Sequence, residues 1–340
     1  MTTSLNRRQL LGGAAAAGLL AACSSTPSAG SGATGSGGGF PVTITHKFGD
    51  TVIPKAPERV FSVGYNDQDS LLALGVTPVG VREWFGNFPY ATHPWATDLL
   101  GDAQPEVMTG DEVNFELVAK TRPDLIVGQY AFLAEEDYAK LAQIAPTISQ
   151  DGAYIEGGMP WQEMHRTTGR ALGREDQAER TIAEVEARFA QARRQHPEFQ
   201  GLGAFLEPAD PGSYYALGPQ DPRARFLADL GFEVPPEITT LAGDQFYAQI
   251  SGEQLRLADR DVLVWLDYES TGQAVVLQED PVYQTLGVAR EGRSVFPDVP
   301  LRQAIAFSSV LSLPVAIDGL VPLLAAAADG DPATTATSGG

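Results

Sequence analysis

The sequence predicts an α/β protein of two Rossmann-like lobes, each with a central parallel sheet, joined by one long helix. Short apolar strands alternate with helical segments in both halves, which is the pattern of parallel sheets covered by helices on both faces. A long, highly charged helical stretch separates the two halves, and the second half repeats features of the first.

The first half shows this alternation element by element. Its opening segment alternates apolar and polar residues, as a hairpin does, and Gly75 closes the first helix as a C-terminal cap. The predicted elements are, in order, a hairpin over 42–53, a strand over 59–63, a helix over 70–75, a strand over 78–81, a helix over 115–120 and a strand over 124–127.

The longest predicted helix covers residues 174–195. Ile182, Val185 and Phe189 lie at helical spacing on it, beside a dense charged face. About 22 residues at 1.5 Å each give a length of roughly 33 Å. Its few apolar positions favour a strut between two lobes, and the alternative is a surface helix on one large domain.

The second half repeats the first at two places. Residues 226–231 resemble residues 71–75, and both segments end in glycine. Glu253 precedes the strand start at Asp261 by eight residues, as Glu116 precedes Asp124. Two similar lobes are therefore expected.

The N-terminal segment is typical of an export signal. Arg7 and Arg8 precede an apolar run over 10–22, whose 13 residues are fewer than the roughly 20 that a membrane-spanning helix needs. Residues 1–22 are predicted to be a signal peptide. The adjacent arginines resemble a twin-arginine signal, and an ordinary Sec signal is the alternative.

Cys23 is the one cysteine of the chain, so an internal disulfide is excluded. The residues Leu20-Ala21-Ala22-Cys23 resemble a bacterial lipobox, which implies that Cys23 is acylated and becomes the new N-terminus; a buried or free thiol is the alternative. The low-complexity stretch that follows, within 23–39, predicts a flexible tether, and 329–340 a disordered tail.

The composition limits the classes of partner. The chain has 340 residues, 23 Lys and Arg against 43 Asp and Glu, and a net charge of −20. Such an acidic surface repels nucleic acid and suits solubility outside the cell. A hydrophobic content of 43% allows about two domains with real cores.

Several stretches together resemble the siderophore, haem and cobalamin class of ABC-transporter substrate-binding proteins. The matching segments are Ala56-Pro57-Glu58-Arg59-Val60, residues 73–80, Asn114-Phe115-Glu116, residues 122–126, residues 144–147, Ile250-Ser251-Gly252-Glu253 and residues 258–263. The resemblance covers roughly residues 40–325 and implies the class III periplasmic-binding-protein fold. It predicts an N-terminal lobe over 40–172, a linking helix over 173–197 and a C-terminal lobe over 198–328.

The resemblance also implies a function and a set of partners. The protein would capture a ferric siderophore in the cleft between its lobes and deliver it to a membrane permease dimer. It would hold no cofactor of its own, because the siderophore holds the iron, and the lipid anchor would keep it at the outer face of the cell membrane. Haem and cobalamin are the alternative ligands.

Glu116 and Glu253 occupy matching positions in the two halves. Asn114 and Ser251 are suitable N-caps, and a carboxylate two residues later is favoured by the helix dipole. The resemblance adds a second role, because glutamates at these motif positions dock onto permease arginines through charge-assisted hydrogen bonds. The two roles are compatible.

Candidate ligand residues follow from the rule that ligands bind beyond the carboxyl ends of parallel strands. Ordinary packing is the alternative for each aromatic residue, and Trp265, inside an apolar strand, is expected to be core. The candidates from the strand ends are Tyr65, Arg82, Trp84, Tyr130, Tyr215 and Tyr268, and Trp161 and Arg302 are added because they are expected in loops that reach the cleft.

The character of these candidates favours one kind of iron chelate. A triscatecholate complex carries about three negative charges and needs several arginines to offset its desolvation. The candidates are mainly aromatic, with two arginines on a strongly acidic chain, although the absence of an arginine among residues 110–113 is a departure from known hydroxamate binders. A neutral or weakly charged hydroxamate complex is therefore favoured.

Nothing in the sequence favours catalysis. The four histidines are scattered without metal-ligand spacing, and no nucleophile elbow, Walker loop or dinucleotide fingerprint is present. An enzyme of unknown type and a structural lipoprotein remain as alternatives to a binding protein.

Overall fold

The computed structural model describes residues 39–210, 212–267, 277–331 and 333. The strands are β1 Val42–His46, β2 Gly49–Ile53, β3 Val60–Ser62, β4 Gly80–Arg82, β5 Glu106–Met108, β6 Leu125–Gly128, β7 Thr147–Ser149, β8 Gly203–Pro208, β9 Ser213–Leu217, β10 Tyr247–Ser251, β11 Val262–Trp265 and β12 Ser294–Val295. The signal peptide, Cys23, residues 24–38 of the tether, Tyr268 and residues 334–340 lie outside the described ranges.

The α-helices alternate with these strands, and short 3₁₀ helices fill several connections. The helices are α1 Asp67–Ala73, α2 Thr97–Leu100, α3 Phe115–Thr121, α4 Glu135–Ala142, α5 Trp161–Ala171, α6 Glu175–Gln195, α7 Pro222–Leu230, α8 Pro236–Ala242, α9 Gly287–Arg290, α10 Val299–Phe307 and α11 Ser312–Ala328. The 3₁₀ helices are Pro89–Ala91, Pro94–Ala96, Pro197–Phe199, Gly252–Ala258 and Tyr283–Thr285.

The N-terminal lobe contains a five-stranded sheet in the order β5-β4-β3-β6-β7, and all its neighbouring strands are parallel. Strands β3 and β6 lie at its centre and every residue of both is buried. Their side chains enter two cores, with Val60 and Leu125 on one face of the sheet and Phe61 and Ile126 on the other. Burial on both faces explains why these strands are continuous apolar runs.

The C-terminal lobe has a sheet in the order β10-β9-β8-β11-β12. Strands β8, β11 and β12 are parallel, whereas β9 is antiparallel to both β8 and β10. This sheet is mixed, which the alternation of strands and helices did not predict. The reason is local, because only residues 209–212 join β8 to β9 and a parallel connection needs a dozen or more residues.

The internal repeat is visible in the hydrogen bonds that begin the central strands. The Asp124 carboxylate accepts a bond from the Arg59 backbone N–H at 2.8 Å, and the Asp261 carboxylate accepts one from Leu202 N–H at 2.7 Å. The two acids therefore perform the same structural task, in front of β6 and β11. The predicted fold class, two α/β lobes with central sheets and one long helix, is confirmed.

Helix α6 contains 21 residues and packs into the cores of both lobes. Ala178, near its start, belongs to a core of the N-terminal lobe, and Val185, Phe189 and Ala192 belong to a core of the C-terminal lobe. The charged face that the sequence shows is the side away from these cores. No helix in the described ranges is both long and apolar enough to span a bilayer.

Hydrogen bonds also connect the lobes directly. The Asn66 amide donates to the Phe307 carbonyl at 2.8 Å, and the Ser309 hydroxyl donates to the Asp69 carboxylate. Phe307 itself packs among aromatic residues of the N-terminal lobe, 5.7 Å from Trp84 and 6.0 Å from Phe85 between ring centroids. These contacts join the two lobes independently of the linking helix.

Candidate functional site

The carboxyl ends of the N-terminal strands carry a wall of aromatic side chains. Tyr65, Trp84 and Tyr130 follow β3, β4 and β6, and Phe132 lies two residues beyond Tyr130. Trp84 lies 5.6 Å from both Tyr65 and Tyr130 between ring centroids, and Tyr130 lies 5.1 Å from Phe132. We call these four residues the aromatic wall. Three of its four members are residues that the sequence predicted.

Buried backbone contacts fix the loops that carry this wall. The Tyr65 N–H donates to the Tyr130 carbonyl at 3.0 Å. The buried Asp67 carboxylate accepts from the Gln129 N–H at 2.9 Å. Burial raises the pKa of Asp67 to about 7, although these hydrogen bonds oppose the shift. The wall is therefore positioned by the first turn of α1.

Arg82 lies beneath the aromatic wall and not on the cleft surface. It is 1% exposed, and its guanidinium donates to the carbonyls of Gly110, at 3.0 Å, and Asp111. The guanidinium carbon is 4.2 Å from the centroid of the Tyr65 ring, a cation–π distance. Burial lowers the pKa of Arg82. In this structure Arg82 therefore supports Tyr65 from beneath and does not present its guanidinium to the cleft.

The opposite wall belongs to the C-terminal lobe and is charged. Asp221 caps α7 by accepting from the Arg223 N–H at 2.8 Å, and its carboxylate pairs with the Arg223 guanidinium at 2.7 Å. Glu207, at the end of β8, forms a second ion pair with the same guanidinium. We call Glu207, Asp221 and Arg223 the arginine cluster.

Two factors set the pKa values in the arginine cluster: all three side chains are largely buried, and two carboxylates share one guanidinium. Burial raises the pKa of Glu207 to about 7, and the neighbouring carboxylates of Asp221 and Asp267 add to the rise. Burial alone would lower the pKa of Arg223, but Asp221 and Glu207 hold it well above its usual value. The guanidinium therefore stays charged, and its charge is already shared between two carboxylates.

A cleft separates the two walls and has the size of a small-molecule site. Its volume is ≈ 1130 Å³ including the open solvent at its mouth, and the ≈ 520 Å³ that a solvent molecule can occupy lies within the roughly 300–1,000 Å³ of ordinary ligand pockets. Its lining residues are Tyr65, Trp84, Asp111, Tyr130, Ala131, Phe132, Asp221, Pro222, Arg223, Phe246 and Ala306.

The other predicted ligand residues do not line this cleft. Trp161 lines a second cavity beside it. Tyr215 lies on β9 and packs against Tyr247, with ring centroids 4.3 Å apart. Arg302 lies on α10 and is 6% exposed; burial lowers its pKa, and the nearby carboxylates of Asp267 and Asp298 oppose that shift. Tyr268 lies outside the described ranges. Trp265 is buried in the C-terminal core, as expected for an apolar strand.

Eight residues of the cleft lining were missed from the sequence, among them Arg223, Phe132 and Phe246, and of these three only Arg223 had a usable signal. Arg223 directly follows Asp221-Pro222, which is a typical start of a helix. Phe132 and Phe246 stand in loops, and they approach each other from the two lobes: a Cβ placed on Gly157 would lie 2.8 Å from the Phe132 ring and 3.0 Å from the Phe246 ring. No sequence pattern marks that approach.

Glu116 and Glu253 are exposed in the first turns of α3 and of the 3₁₀ helix Gly252–Ala258. The predicted caps are present, since the Asn114 side chain accepts from Leu117 N–H at 2.9 Å and Ser251 forms a capping box with Gln254. Neither glutamate side chain has a hydrogen bond or ion pair within the part of the chain that the structure describes. Both carboxylates are available to a partner.

Across the described ranges, no group of three or more His, Cys, Asp and Glu side chains is placed to hold a metal ion. The histidines have other contacts: His93 stacks on Trp95 with ring centroids 4.4 Å apart, and His165 bonds Thr181 at 2.7 Å. Burial lowers the pKa of both to about 4.

Two lobes bridged by a rigid helix, with an aromatic and a charged wall facing across an open cleft, define a solute-binding protein of the two-lobed type. Comparison with known proteins agrees with this class. The family model described as periplasmic binding protein matches residues 60–296, and the chain belongs to that family.

Individual relatives match over most of the chain. The ferric-anguibactin-binding protein FatB of Vibrio anguillarum is 25% identical over 293 residues, 83% of this chain and 87% of FatB. A periplasmic solute-binding protein from Mycobacterium smegmatis is 36% identical, with a TM-score of 0.75 over 84% of this chain and 97% of that one. PiaA of Streptococcus pneumoniae, solved with ferrichrome, is 26% identical, with a TM-score of 0.74 over 85% and 99%.

Proposed function

We propose that this protein is the substrate-binding lipoprotein of an ABC importer and that it captures a ferric siderophore, of the hydroxamate type, between its lobes. The observation that carries the proposal is the aromatic wall facing one charge-shared arginine across a cleft of ≈ 1130 Å³. Relatives named for siderophore binding, FatB for ferric anguibactin and PiaA for ferrichrome, support it.

The charges of the cleft favour a neutral chelate. A triscatecholate complex brings about three negative charges, and removing them from water needs several unshared cations. Arg223 is the cationic residue of the described cleft lining, and Asp221 and Glu207 already balance it. A neutral ferric hydroxamate requires no such compensation, and it can pack on the aromatic wall while accepting hydrogen bonds from Arg223.

Ligand titrations followed by tryptophan fluorescence test the proposal. Ferrichrome and ferrioxamine B are expected to quench the fluorescence with saturation, because Trp84 lies in the cleft wall. Ferric enterobactin, haem and cobalamin are expected to bind at least tenfold more weakly. Saturable binding of haem with a Soret shift, or of cobalamin, in preference to the hydroxamates would assign a different ligand class. Turnover of a bound substrate would instead indicate an enzyme.

We propose that Glu116 and Glu253 dock the loaded protein onto the two-fold permease. Each is exposed at the start of a helix, and the two occupy equivalent places in the repeat. The double variant Glu116→Ala/Glu253→Ala is expected to lose iron uptake in cells and to keep its affinity for ferrioxamine B. The matched control is Glu135→Ala/Glu184→Ala, since both of these glutamates are also exposed on helices. Weakened ligand binding in the first double variant would refute a docking role.

We further propose that residues 1–22 direct export, by the twin-arginine route, and that an acylated Cys23 anchors the protein at the outer face of the membrane. Two acyl chains give stable anchoring, at about 0.8 kcal/mol per buried CH₂. A Cys23→Ser variant is expected to leave the membrane fraction, and Arg7→Lys/Arg8→Lys to block export. Membrane retention of the serine variant would exclude the lipid anchor.

A further inference from the structure

A second cavity lies beside the cleft and meets it. It is bounded by the start of α5, by α7 and by the end of α10, and its volume is ≈ 810 Å³ including its open mouth. Tyr130, Pro222 and Ala306 line both spaces. We call it the rear cavity. The shared residues make it an extension of the ligand cleft and not an isolated void.

The lining of the rear cavity is mainly apolar, which distinguishes it from the cleft. Its apolar side chains come from both lobes, so that neither lobe forms the cavity alone. They are Met159, Pro160, Trp161, Met164, Pro222, Phe226, Ala228, Ala306, Phe307 and Leu313.

Several polar side chains of the lining bond to the protein itself, although the buried Asn66 Oδ1 has no hydrogen-bond partner within the described residues and the Asp229 carboxylate also lines the cavity. The Asn66 amide donates to the Phe307 carbonyl at 2.8 Å. The Arg225 guanidinium donates to the Gly158 carbonyl at 2.6 Å and to the Gln220 side chain at 3.1 Å. A charged or strongly polar guest would lose its water and find few partners in return, chiefly the acceptors Asn66 Oδ1 and the Asp229 carboxylate. An apolar guest has no hydrogen bonds to water to give up, and apolar cavities in proteins do bind such molecules.

The rear cavity also has an outer end. Gln162 and Asp229 line it and at the same time line a groove along α6, together with Ala187 and Ala190. A hydrocarbon chain of a ligand that enters the rear cavity past Tyr130 could therefore continue toward solvent along the linking helix α6. The two ends differ in character, because aromatic residues surround the inner end and polar residues the outer one.

From this continuity we infer that the rear cavity receives an apolar arm of the same ligand whose iron-chelating head lies in the cleft. The substrate class is then a ferric hydroxamate that carries a hydrocarbon chain. The inference rests on the proposed function, and it adds a second subsite and a second recognition element to it.

The test compares ligands that share one head and differ only in the arm. Ferrioxamine B can be acylated at its terminal amine, and both the N-acetyl and the N-octanoyl derivatives lack the ammonium charge. Isothermal titration of the purified protein is expected to show at least tenfold tighter binding of the octanoyl compound, because each CH₂ that becomes buried strengthens binding by up to about fourfold. Concentrations stay below the aggregation limit of the octanoyl derivative.

A filled cavity provides the matched variant. Ala228 lines the rear cavity, does not line the cleft, and is exposed, so Ala228→Phe adds volume at the cavity mouth without overpacking a core. The variant is expected to bind the N-acetyl compound as the native chain does and to lose the advantage of the octanoyl arm. Ala139→Phe, at an exposed position on α4, is expected to keep that advantage, and thermal unfolding checks that both variants are folded.

Equal affinities of the native protein for the two derivatives would overturn the arm site while leaving the proposed function intact. An octanoyl advantage that persists in Ala228→Phe would overturn it as well, since the extra affinity would then arise elsewhere. A chain that binds neither derivative would refute the hydroxamate function itself, and the arm site with it.

Discussion

The two lobes share a sheet-and-helix repeat but bury their charges in opposite ways. The N-terminal lobe buries Asp67 and Asp69 with only hydrogen-bond donors as partners, and burial raises the pKa of both to about 7. The C-terminal lobe places Asp221 and Glu207 around the guanidinium of Arg223. The two lobes share one fold, but buried aspartates with a raised pKa lie behind the aromatic wall, whereas ion pairs stabilise the charged wall.

The difference arises from sheet topology. In the N-terminal lobe the parallel strands β3, β4 and β6 all end at one edge, so their following residues form a continuous surface. In the C-terminal lobe the antiparallel β9 interrupts that pattern. The wall there is supplied by the first turn of α7, whose N-cap brings an acid and an arginine together. The two walls therefore differ in the elements that supply them, strand ends in one lobe and the start of a helix in the other.

The largest expected effect is a loss of stability as the pH rises, caused by the N-terminal acids. Because Asp67 and Asp69 have a pKa of about 7 in the folded chain and 3.8 ordinarily, the folded state holds their protons more tightly than the unfolded one. Their contribution is complete below about pH 4 and is lost as the pH rises to about 7. At about 1.4 kcal/mol per pKa unit, the total reaches several kcal/mol.

Thermal unfolding between about pH 4.5 and about pH 8, at constant ionic strength, measures this slope. Asp67→Asn/Asp69→Asn is expected to flatten it, because the remaining contributions oppose one another. Glu207 and Asp229, whose pKa values are about 7 and about 6, lose stability as the pH rises, whereas His93 and His165, whose pKa values are about 4, gain stability up to about pH 6.5. A midpoint that rises with pH in the native chain would contradict the account of the N-terminal lobe.

Removing the central cation of the arginine cluster is expected to have the next largest effect. Arg223→Ala leaves Asp221 and Glu207 buried without their cation, and such losses cost about 3–5 kcal/mol of unfolding free energy. Arg82→Ala is the matched change in the other lobe, where the guanidinium bonds neutral carbonyls, so we expect a smaller cost of about 1–3 kcal/mol. Urea unfolding of both variants measures the difference. Equal costs would remove the contrast between the lobes.

Gly64→Ala tests how tightly the aromatic wall is positioned. A Cβ at Gly64 would lie 1.9 Å from the Asp67 carboxylate, which holds the backbone of Gln129. Overpacking of this kind costs about 1–3 kcal/mol, and displacement of the Tyr130 loop is expected to weaken ferrioxamine B binding as well. Gly252→Ala is the control, since its nearest neighbours would be 3.6 Å away. Unchanged stability and affinity in Gly64→Ala would show that the wall does not depend on Asp67.

The features that the sequence predicts correctly are those with local causes. The central strands β3, β6 and β11 are apolar runs because both faces of each sheet are covered, and α6 has a charged face because one side remains in water. The caps Asn114 and Ser251 satisfy backbone groups within three residues of themselves. Periodicity and spacing carry this information directly.

The features that escape prediction depend on distant partners. The strand-end rule places Arg82 at the right edge, but the carbonyls of Gly110 and Asp111, in another loop, bury its guanidinium. The same rule fails for Tyr215, because this residue lies in the middle of β9, a strand that runs antiparallel to β8. Arg223 becomes a cleft residue only when β8 and α7 bring Glu207 and Asp221 to it. Such pairings are set by the fold and not by neighbouring sequence.

The smallest expected effect is that of Trp84→Ala on ligand affinity, which measures aromatic stacking separately from the charges of the arginine cluster. Trp84 is in contact with two members of the aromatic wall, whereas Tyr247 is an aromatic residue of the C-terminal lobe, 43% exposed and outside the cleft lining. Trp84→Ala is expected to weaken ferrioxamine B binding by about tenfold, the size of one lost aromatic contact of about 1.4 kcal/mol. Tyr247→Ala is expected to leave the affinity within about twofold, because no wall is changed. If isothermal titration gives both variants the native affinity, the aromatic wall does not stack on the ligand, and recognition would have to rest on the arginine cluster alone.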